Sequence, residues 1–145
     1  MQLHLEDVAV GAEFISDEVT ITAEDIVAFA QQFDPQPFHL DADAAHDTFF
    51  RGLAASGWHT AAITMRLLVT SGLNIAGGII GAGGQLSWPT PTRAGDRLHV
   101  RAVVQSVSTS KTDPSRGSAI LRIETLTSEG EVRQIFEVRI LLFAR

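Results

Sequence analysis

Cysteine is absent from the 145 residues of this chain. Its absence excludes disulfide bonds, thiolate catalysis and cysteine-ligated metal sites, and it agrees with a cytoplasmic location. Long hydrophobic runs are absent as well, since none reaches the roughly 18 residues that a membrane-spanning helix needs. Residues 1–6 contain no basic region followed by a hydrophobic stretch, so we expect no secretory signal and no membrane partner.

Basic residues are in the minority, with 11 lysines and arginines against 17 aspartates and glutamates, and the formal net charge is −6. A chain with this charge repels nucleic acid, so nucleic-acid binding is excluded as its main function. An anionic ligand would need a local basic patch that works against the overall field. The length fits one domain, residues 1–145, with enough residues for a sizeable core.

The first half of the chain is predicted to contain three helices. Thr22 is a good N-cap, and apolar residues recur after it at helical spacing as far as Phe33. Because a residue before proline avoids the helical conformation, this helix should stop there, ahead of a proline-containing segment. A second, short helix is predicted to start around Asp41 or Asp43.

The third predicted helix covers residues 57–71. Apolar residues occur all round its helical wheel, Arg66 is its only formal charge, and it should end before Gly72. A helix without a polar face is a buried helix, so we expect this one to lie inside the protein. The glycines that follow, between 77 and 84, are expected to exclude regular structure.

From Gln85 onward the sequence favours β-structure. Alternating apolar and polar residues predict strands over 98–105, 119–127 and 132–143, after a short strand-like segment at 13–20. A polar turn fills 110–118, and Ser128-Glu129-Gly130 predicts a tight hairpin. The chain should therefore adopt an α+β fold, in which a long antiparallel sheet wraps around the buried central helix.

The segment Asp34-Pro35-Gln36-Pro37-Phe38-His39 places an acid and an imidazole five positions apart. Two prolines should make it a stiff, irregular connection, because each one pushes the preceding residue out of the helical region. Flexible surface loops are rarely built this way, whereas a segment that directs two polar side chains into a cleft has these features. Asp34 and His39 are therefore the first candidates for a catalytic pair.

This segment and two others resemble the MaoC-like dehydratases, the group that includes the (R)-specific enoyl-CoA hydratases. The family's signature is an Asp, four residues and a His in a proline-containing segment, here Asp34 and His39. A small residue or His before a Gly then opens the central helix, which corresponds to Ser56-Gly57. Later, a strand enters a Pro-x-x-x-Gly-Asp turn, here residues 91–96.

The resemblance covers nearly the whole chain and implies the hotdog fold. It also implies a homodimer or a dimer-based oligomer, with two sheets joined edge to edge. The implied partner is an acyl-CoA thioester substrate. No resident cofactor and no metal is implied, because coenzyme A enters as part of the substrate.

The implied activity is reversible hydration of a 2-enoyl-CoA to a 3-hydroxyacyl-CoA. This reaction needs a base for the water that attacks C3, an acid that protonates C2, and stabilisation of the thioester oxygen. His39 is the natural base, because an imidazole exchanges protons near neutral pH. Asp34 would orient the water or act as the acid, and the backbone N–H of Gly57 would form the oxyanion hole at a helix N-terminus.

The predicted substrate-binding residues are Pro37, Ser56, Trp58, Gly83 and Arg93. Trp58 and the glycine-rich turn are expected to influence the depth of the acyl pocket. Arg93, Arg51 and Arg97 are candidates for contact with the phosphates of coenzyme A, and for any one of them a solvated surface charge is the favoured alternative.

The central helix departs from the family pattern at one position. Ala62 stands where characterised hydratases of this group often have a Ser, so either Thr60 or Thr64 substitutes for it or its role is dispensable. Carboxylates are absent from residues 57–71, whereas related thioesterases and acyl-carrier-protein dehydratases often carry one there. This absence favours the MaoC-type arrangement.

Two other functions stay open, a hotdog acyl-CoA thioesterase and a non-catalytic acyl-CoA-binding module. His59 is interpreted as a packing residue, because a histidine on an apolar helix usually serves packing. A metal site built from His39, Asp41, Asp43 and His46 is not favoured, since Asp41 or Asp43 is better explained as a helix cap.

Overall fold

Three long strands in the C-terminal half carry alternating side chains and build the body of a six-stranded antiparallel sheet. In the middle strand, every second residue from Gly117 to Thr127 is buried, while the residues between them stay partly exposed. This pattern places one face of the sheet against the core and the other toward solvent. The structure, a computed structural model, describes residues 1–145.

The strands and helices have the following bounds. The strands are β1 (Glu13–Ile15), β2 (Val19–Thr20), β3 (Gly81–Ser87), β4 (Arg97–Thr109), β5 (Arg116–Thr127) and β6 (Val132–Phe143). The helices are α1 (Ala23–Phe33), α2 (Pro37–Leu40), α3 (Ala42–His46) and α4 (Gly57–Leu67), and one π turn (Leu68–Gly72) continues α4. The sheet has the order β1-β4-β5-β6-β3, and β2 also pairs with β4. The predicted first helix, the hairpin and the long antiparallel strands are confirmed.

The central helix α4 and its π turn pack against the buried face of the sheet. Leu67 and Leu68 belong to one hydrophobic cluster with side chains of the three long strands, among them Val100, Leu121 and Ile140. Each such side chain contributes about 1.5–3 kcal/mol to folding when it is removed from water. A central helix wrapped by an antiparallel sheet is the hotdog fold, as expected.

Local sequence determines where α1 begins and ends. The Thr22 hydroxyl accepts the N–H of Asp25, and the Asp25 carboxylate accepts the N–H of Thr22, which forms a capping box. Ile26 and Ala30 are fully buried and fix the helix against the rest of the protein. Asp34 follows as the C-cap residue. The helix thus brings this carboxylate to a defined place.

The connection after α1 contains one turn of helix, α2, where the sequence suggested an irregular segment. Pro37 occupies the first position of this turn. An N–H at this position has no acceptor within the helix, so proline costs no hydrogen bond there, and its fixed φ suits a helix. The expectation was wrong because the proline rule restricts only the preceding residue. The next helix, α3, is capped as predicted by Asp41, whose Oδ1 accepts the N–H groups of Asp43 and Ala44.

The glycine-rich segment was expected to lack regular structure, but part of it forms the edge strand β3, paired with β6. A methyl group at Gly84 would lie 2.5 Å from the carbonyl oxygen of Glu137 on β6. The register shifts between Gly81 and Gly83, and Gly83 has a φ of +142°. Glycine at these positions allows the backbones of β3 and β6 to approach closely and allows a β-bulge, and the strand continues through them.

The central helix was expected to be fully buried, and this expectation was wrong for one of its faces. Trp58 is 62% exposed and Met65 is 39% exposed, and Val69 of the π turn continues the same apolar stripe. The sheet covers only the opposite side of the helix. None of the helices has the length and apolar character needed to cross a membrane.

His59 lies between α1 and α4, and its ring stacks on that of Phe29 with 4.6 Å between centroids. The residue is buried, and its Nδ1 has no hydrogen-bond partner. Burial lowers the pKa of His59 below its ordinary value, and the charge of Asp25 opposes this shift only in part. The neutral ring is therefore a packing element, in agreement with the interpretation from sequence.

Acid should destabilise the protein through His59. Its pKa is lower in the folded state than in the unfolded state, so the stabilisation is complete above the unfolded pKa of about 6.5 and is lost as the pH falls below it. We expect the melting temperature to fall more between about pH 7.5 and about pH 5 in the wild type than in His59→Phe, which keeps a ring against Phe29. The exposed His46→Phe is the control and should behave as the wild type does. Equal falls in wild type and His59→Phe would contradict this role.

Candidate active site

The end of α1 and the turn α2 bring Asp34 and His39 together. Nε2 of His39 lies 3.3 Å from Oδ2 of Asp34, and the imidazole is almost fully buried. The other ring nitrogen, Nδ1, lies 2.6 Å from the carbonyl oxygen of Ala54. Because a carbonyl oxygen only accepts hydrogen bonds, Nδ1 carries the proton. In the neutral ring, Nε2 is therefore an acceptor that faces the carboxylate.

The carboxylate of Asp34 is held in its charged form. Nε2 of Gln36 donates to Oδ1 at 2.6 Å, and the side chain of Ser56 adds a second stabilising interaction. Burial raises the pKa of Asp34, but these interactions and the charge of His39 outweigh burial and place the pKa below its usual range. When the imidazole is neutral, the carboxylate and Nε2 are both hydrogen-bond acceptors. A molecule with two O–H bonds, such as water, satisfies both.

The N-terminus of α4 lies beside this pair and presents a free backbone donor. Ser56 is the N-cap, with its side chain accepting the N–H of Trp58 and its carbonyl accepting the N–H groups of His59 and Thr60. The N–H of Gly57 donates to no atom of the chain. An unpaired N–H at the positive end of a helix is suited to an oxyanion.

His39 and Gly57 line one cavity of about 440 Å³. The wall opposite the pair is formed by Trp88 and by the segment 89–92 that leads toward β4. Thr60, one turn beyond Gly57 on α4, adds a hydroxyl that donates to Thr92 at 2.9 Å. The cavity therefore brings together the imidazole of His39, which has the Asp34 carboxylate beside it, a free backbone N–H at a helix N-terminus and an apolar wall.

The structure places the predicted substrate-binding residues in different surroundings. Ser56 is fully buried beside the catalytic pair, and Pro37 begins the turn that carries His39. Trp58 lines a second cavity rather than the one with the pair. Gly83 lies in β3 and lines neither of these two cavities, although its neighbour Gly84 lines the second.

The three arginines considered for coenzyme A differ in what they contact. Arg93 donates to the carbonyl oxygens of Phe50, Gly52 and Leu53 at 2.6, 3.1 and 3.3 Å, so its guanidinium fixes the loop before α4. Arg97 pairs with Glu18 at 2.7 Å. Arg51 forms no ion pair and is exposed, with a φ of +55°. A contact of any of them with phosphate stays a prediction.

Several residues of the cavity were not predicted to belong to it. Trp88 and Arg133 line the cavity, although both lie in parts of the chain that were predicted only to form β-structure. An alternation of apolar and polar residues predicts a strand, but it does not show which strand ends lie near the N-terminus of a helix. Thr60 was considered only as a substitute for the family Ser. In the structure Ala62 is exposed, Thr60 lines the cavity, and Thr64 lies deeper against the sheet. Thr60 is thus the α4 hydroxyl nearest the predicted chemistry.

The acidic and imidazole groups of α2 and α3 do not form a metal centre. Asp41 is engaged as the cap of α3, and His39 is occupied by Ala54 and Asp34. No group of three or more His, Cys, Asp or Glu side chains is arranged to hold a metal ion.

Comparison with solved structures finds close counterparts of this fold. The MaoC-like dehydratase from Rhodospirillum rubrum is 56% identical, with a TM-score of 0.97 over 99% of this chain and 98% of that one. The (R)-hydratase PhaJ1 from Pseudomonas aeruginosa is 24% identical, with a TM-score of 0.76 over 99% of this chain and 88% of that one. The (R)-hydratase from A. caviae is also 24% identical, with a TM-score of 0.73 over 95% and 98% of the two chains. The last two likenesses show the fold alone.

Comparison by sequence identifies the family. The protein YdeM of Bacillus subtilis (strain 168), itself uncharacterised, is 34% identical over 70 residues, which are 48% of this chain and 50% of that protein. The chain therefore spans half the length of the curated relative it matches. A family model described as the MaoC-like domain matches residues 7–121, which is well over half of the chain. On this match, the chain belongs to the MaoC-like domain family.

Proposed function

We propose that the protein catalyses the reversible hydration of a 2-enoyl-CoA to a 3-hydroxyacyl-CoA. The observation that carries this proposal is the juxtaposition of His39 Nε2, 3.3 Å from Asp34 Oδ2, with the free N–H of Gly57 in the wall of the same cavity. Hydration of an enoyl thioester needs a base, an orienting acceptor and an oxyanion donor, and these three groups supply them.

The two acceptors of the pair orient the attacking water. One O–H bond of the water points to Nε2 of His39, and the other points to the carboxylate of Asp34. This arrangement leaves an oxygen lone pair free to attack C3 of the substrate. His39 takes a proton as the C3–O bond forms, and the electrons of the double bond move onto the thioester oxygen.

The negative charge on the thioester oxygen is stabilised by the N–H of Gly57 at the N-terminus of α4. Collapse of this enolate transfers a proton to C2 from the His39–Asp34 pair, which returns to its starting protonation state. The sum is addition of one water, with hydroxyl at C3 and hydrogen at C2. Loss of one such oxyanion donor typically costs about 2.7–4 kcal/mol of transition-state stabilisation.

The comparisons support a hydro-lyase in general, and the substrate is our inference. The structure from Rhodospirillum rubrum that is 56% identical is described as a MaoC-like dehydratase, and two neighbours of the same fold are (R)-hydratases. Coenzyme A would be bound only as part of the thioester, with no resident cofactor. Arg51 and Arg93 are the cations we assign to its phosphates, because neither is paired with a carboxylate, whereas Arg97 pairs with Glu18.

The unpaired edge of β3 and the exposed apolar stripe of α4 support a homodimer. β3 ends the sheet order and leaves one edge unpaired, and an open strand edge is a site for pairing with another chain. The exposed stripe of α4, with Trp58 and Met65, lies next to β3, because both line one apolar cavity with Leu86. A second copy of the chain placed at this edge covers strand and stripe together.

Removal of either member of the catalytic pair should abolish most of the activity. We expect His39→Ala and Asp34→Asn each to lower kcat/KM for crotonyl-CoA by roughly 10²–10⁴-fold, as loss of a positioned acid–base group does. The rate is measured from the loss of enoyl-thioester absorbance. The matched controls His46→Ala and Asp47→Asn change exposed residues outside the cavity and should keep the wild-type rate.

Two results would contradict hydration. Release of free thiol, detected with a thiol-reactive dye, would identify a thioesterase. A wild type that is stabilised thermally by crotonyl-CoA, but does not convert short or medium chains, would be a binding module.

A charge on the exposed stripe of α4 should separate the dimer. We expect the wild type to have twice the chain mass of 15.6 kDa by light scattering, and Met65→Glu to have the mass of one chain. The reason is that an unpaired carboxylate is costly to bury in an apolar interface. Ala28→Glu, on the exposed side of α1, is the control and should keep the wild-type mass. A wild type of single-chain mass would contradict the proposed dimer.

A further inference from the structure

A second cavity, of about 330 Å³, lies beside the one that holds the catalytic pair. Its wall is mostly apolar and includes Trp58, Met65, Leu86 and Phe136, from α4 and from the two strands next to it. The proposed chemistry uses none of these residues. Trp58 and Met65 of this wall belong to the exposed stripe that we place in the dimer interface, so the second subunit would cover this part of the cavity.

A hydrogen bond between two side chains links the wall of one cavity to the wall of the other. Trp88 lines the first cavity, and Gln134 lines the second. Nε1 of Trp88 donates to Oε1 of Gln134 at 2.9 Å, and Gln134 is fully buried. Nε2 of Gln134 in turn donates to Oγ1 of Thr64 at 3.0 Å. The indole is therefore held in place from the protein interior.

The indole of Trp88 also lies directly against the oxyanion donor. A methyl group added at Gly57 would be 2.5 Å from Cε2 of Trp88, so the ring packs on the bare Cα of that glycine. On its other side the ring meets Trp58 edge to face, with 5.4 Å between centroids. An acyl group whose carbonyl oxygen contacts the N–H of Gly57 therefore lies in a cavity with Trp88 in its wall.

The chemistry of the two cavities fits opposite ends of one substrate. The first cavity continues to the polar side chains of Thr90 and Arg133, which suit the amides of a pantetheine arm. The second cavity, with its mostly apolar wall, suits a hydrocarbon chain. Trp88 packs on Gly57 of the first cavity and contacts Gln134 and Trp58 of the second, so the indole lies between the residues that line the two cavities.

We propose that Trp88, held by Gln134, determines the acyl-chain length that the enzyme accepts, a proposal that rests on the hydratase function above. With the indole in its observed place, a short acyl group fits between the catalytic pair and the ring. A longer tail reaches the second cavity only when the indole is removed or displaced. Gln134 is a positioning residue, because it acts through Trp88.

Two variants test the role of Trp88 in different ways. Trp88→Leu removes the ring. Gln134→Leu keeps a buried side chain but removes the partner of the indole N–H, while Thr64 keeps its hydrogen bonds to the Thr60 carbonyl and to Thr125. The measurement is kcat/KM for oct-2-enoyl-CoA divided by kcat/KM for crotonyl-CoA. Phe143→Leu, an aromatic truncation that lines neither cavity, is the control.

We expect the ratio to rise by about tenfold or more in Trp88→Leu, in the range that pocket size contributes to specificity. Gln134→Leu should raise it by less, and Phe143→Leu should leave it at the wild-type value. A ratio unchanged in Trp88→Leu, in protein that melts cooperatively, would show that the indole only packs and would overturn the proposal.

The outcome is distinguishable from failure of the proposed function. If the wild type does not hydrate crotonyl-CoA, hydration is wrong, and the role of Trp88 is tested by the affinities of butyryl-CoA and octanoyl-CoA in calorimetry. A gain in relative affinity for octanoyl-CoA in Trp88→Leu would still establish Trp88 as the length determinant. The same relative affinity in both proteins would overturn it.

Discussion

The segment just before α4 is the junction on which the site depends. Ala54 is bonded to α2 twice, because its N–H donates to the carbonyl of Phe38 at 3.0 Å and its carbonyl accepts Nδ1–H of His39 at 2.6 Å. The N–H of Ala55 donates to the carbonyl of Thr92 at 2.9 Å. These bonds fix the imidazole tautomer and join the base to the start of the helix that supplies the oxyanion donor. The distance between base and donor is therefore set by backbone, not by flexible side chains.

Buried hydroxyls hold the central helix in register against the sheet. Thr60 donates to Thr92, and Thr64 shares hydrogen bonds with Thr125 and Gln134 across the core. Each buried polar group that loses its partner costs about 1–3 kcal/mol, so a helix rotated or shifted by one residue would be penalised several times. Apolar contacts alone permit such shifts more easily. The polar contacts thus specify where Gly57 lies, while the hydrophobic cluster supplies most of the stability.

Much of this arrangement could be predicted from the sequence, because the decisive signals are local. The cap at Thr22 and the prolines after Phe33 predict where α1 ends, and the resemblance then places Asp34, His39 and Gly57 in one site. The edge strand β3 could not be predicted in this way, since glycine is there for its approach to Glu137 on another strand. The open face of α4 was missed for a related reason. A helical wheel shows that a face is apolar, but it does not show whether the same chain covers that face.

Gly57 shows how one position can satisfy two constraints at once. The proposed oxyanion role requires its N–H to stay unpaired, and Ser56 caps the next residues of the helix while leaving that group free. Its Cα must also accept the indole of Trp88, which a side chain at this position would displace. The residue that opens α4 therefore links the donor to the indole that lies between the residues lining the two cavities. Because the same glycine contacts both, a change that moves the indole also changes the surroundings of the oxyanion donor.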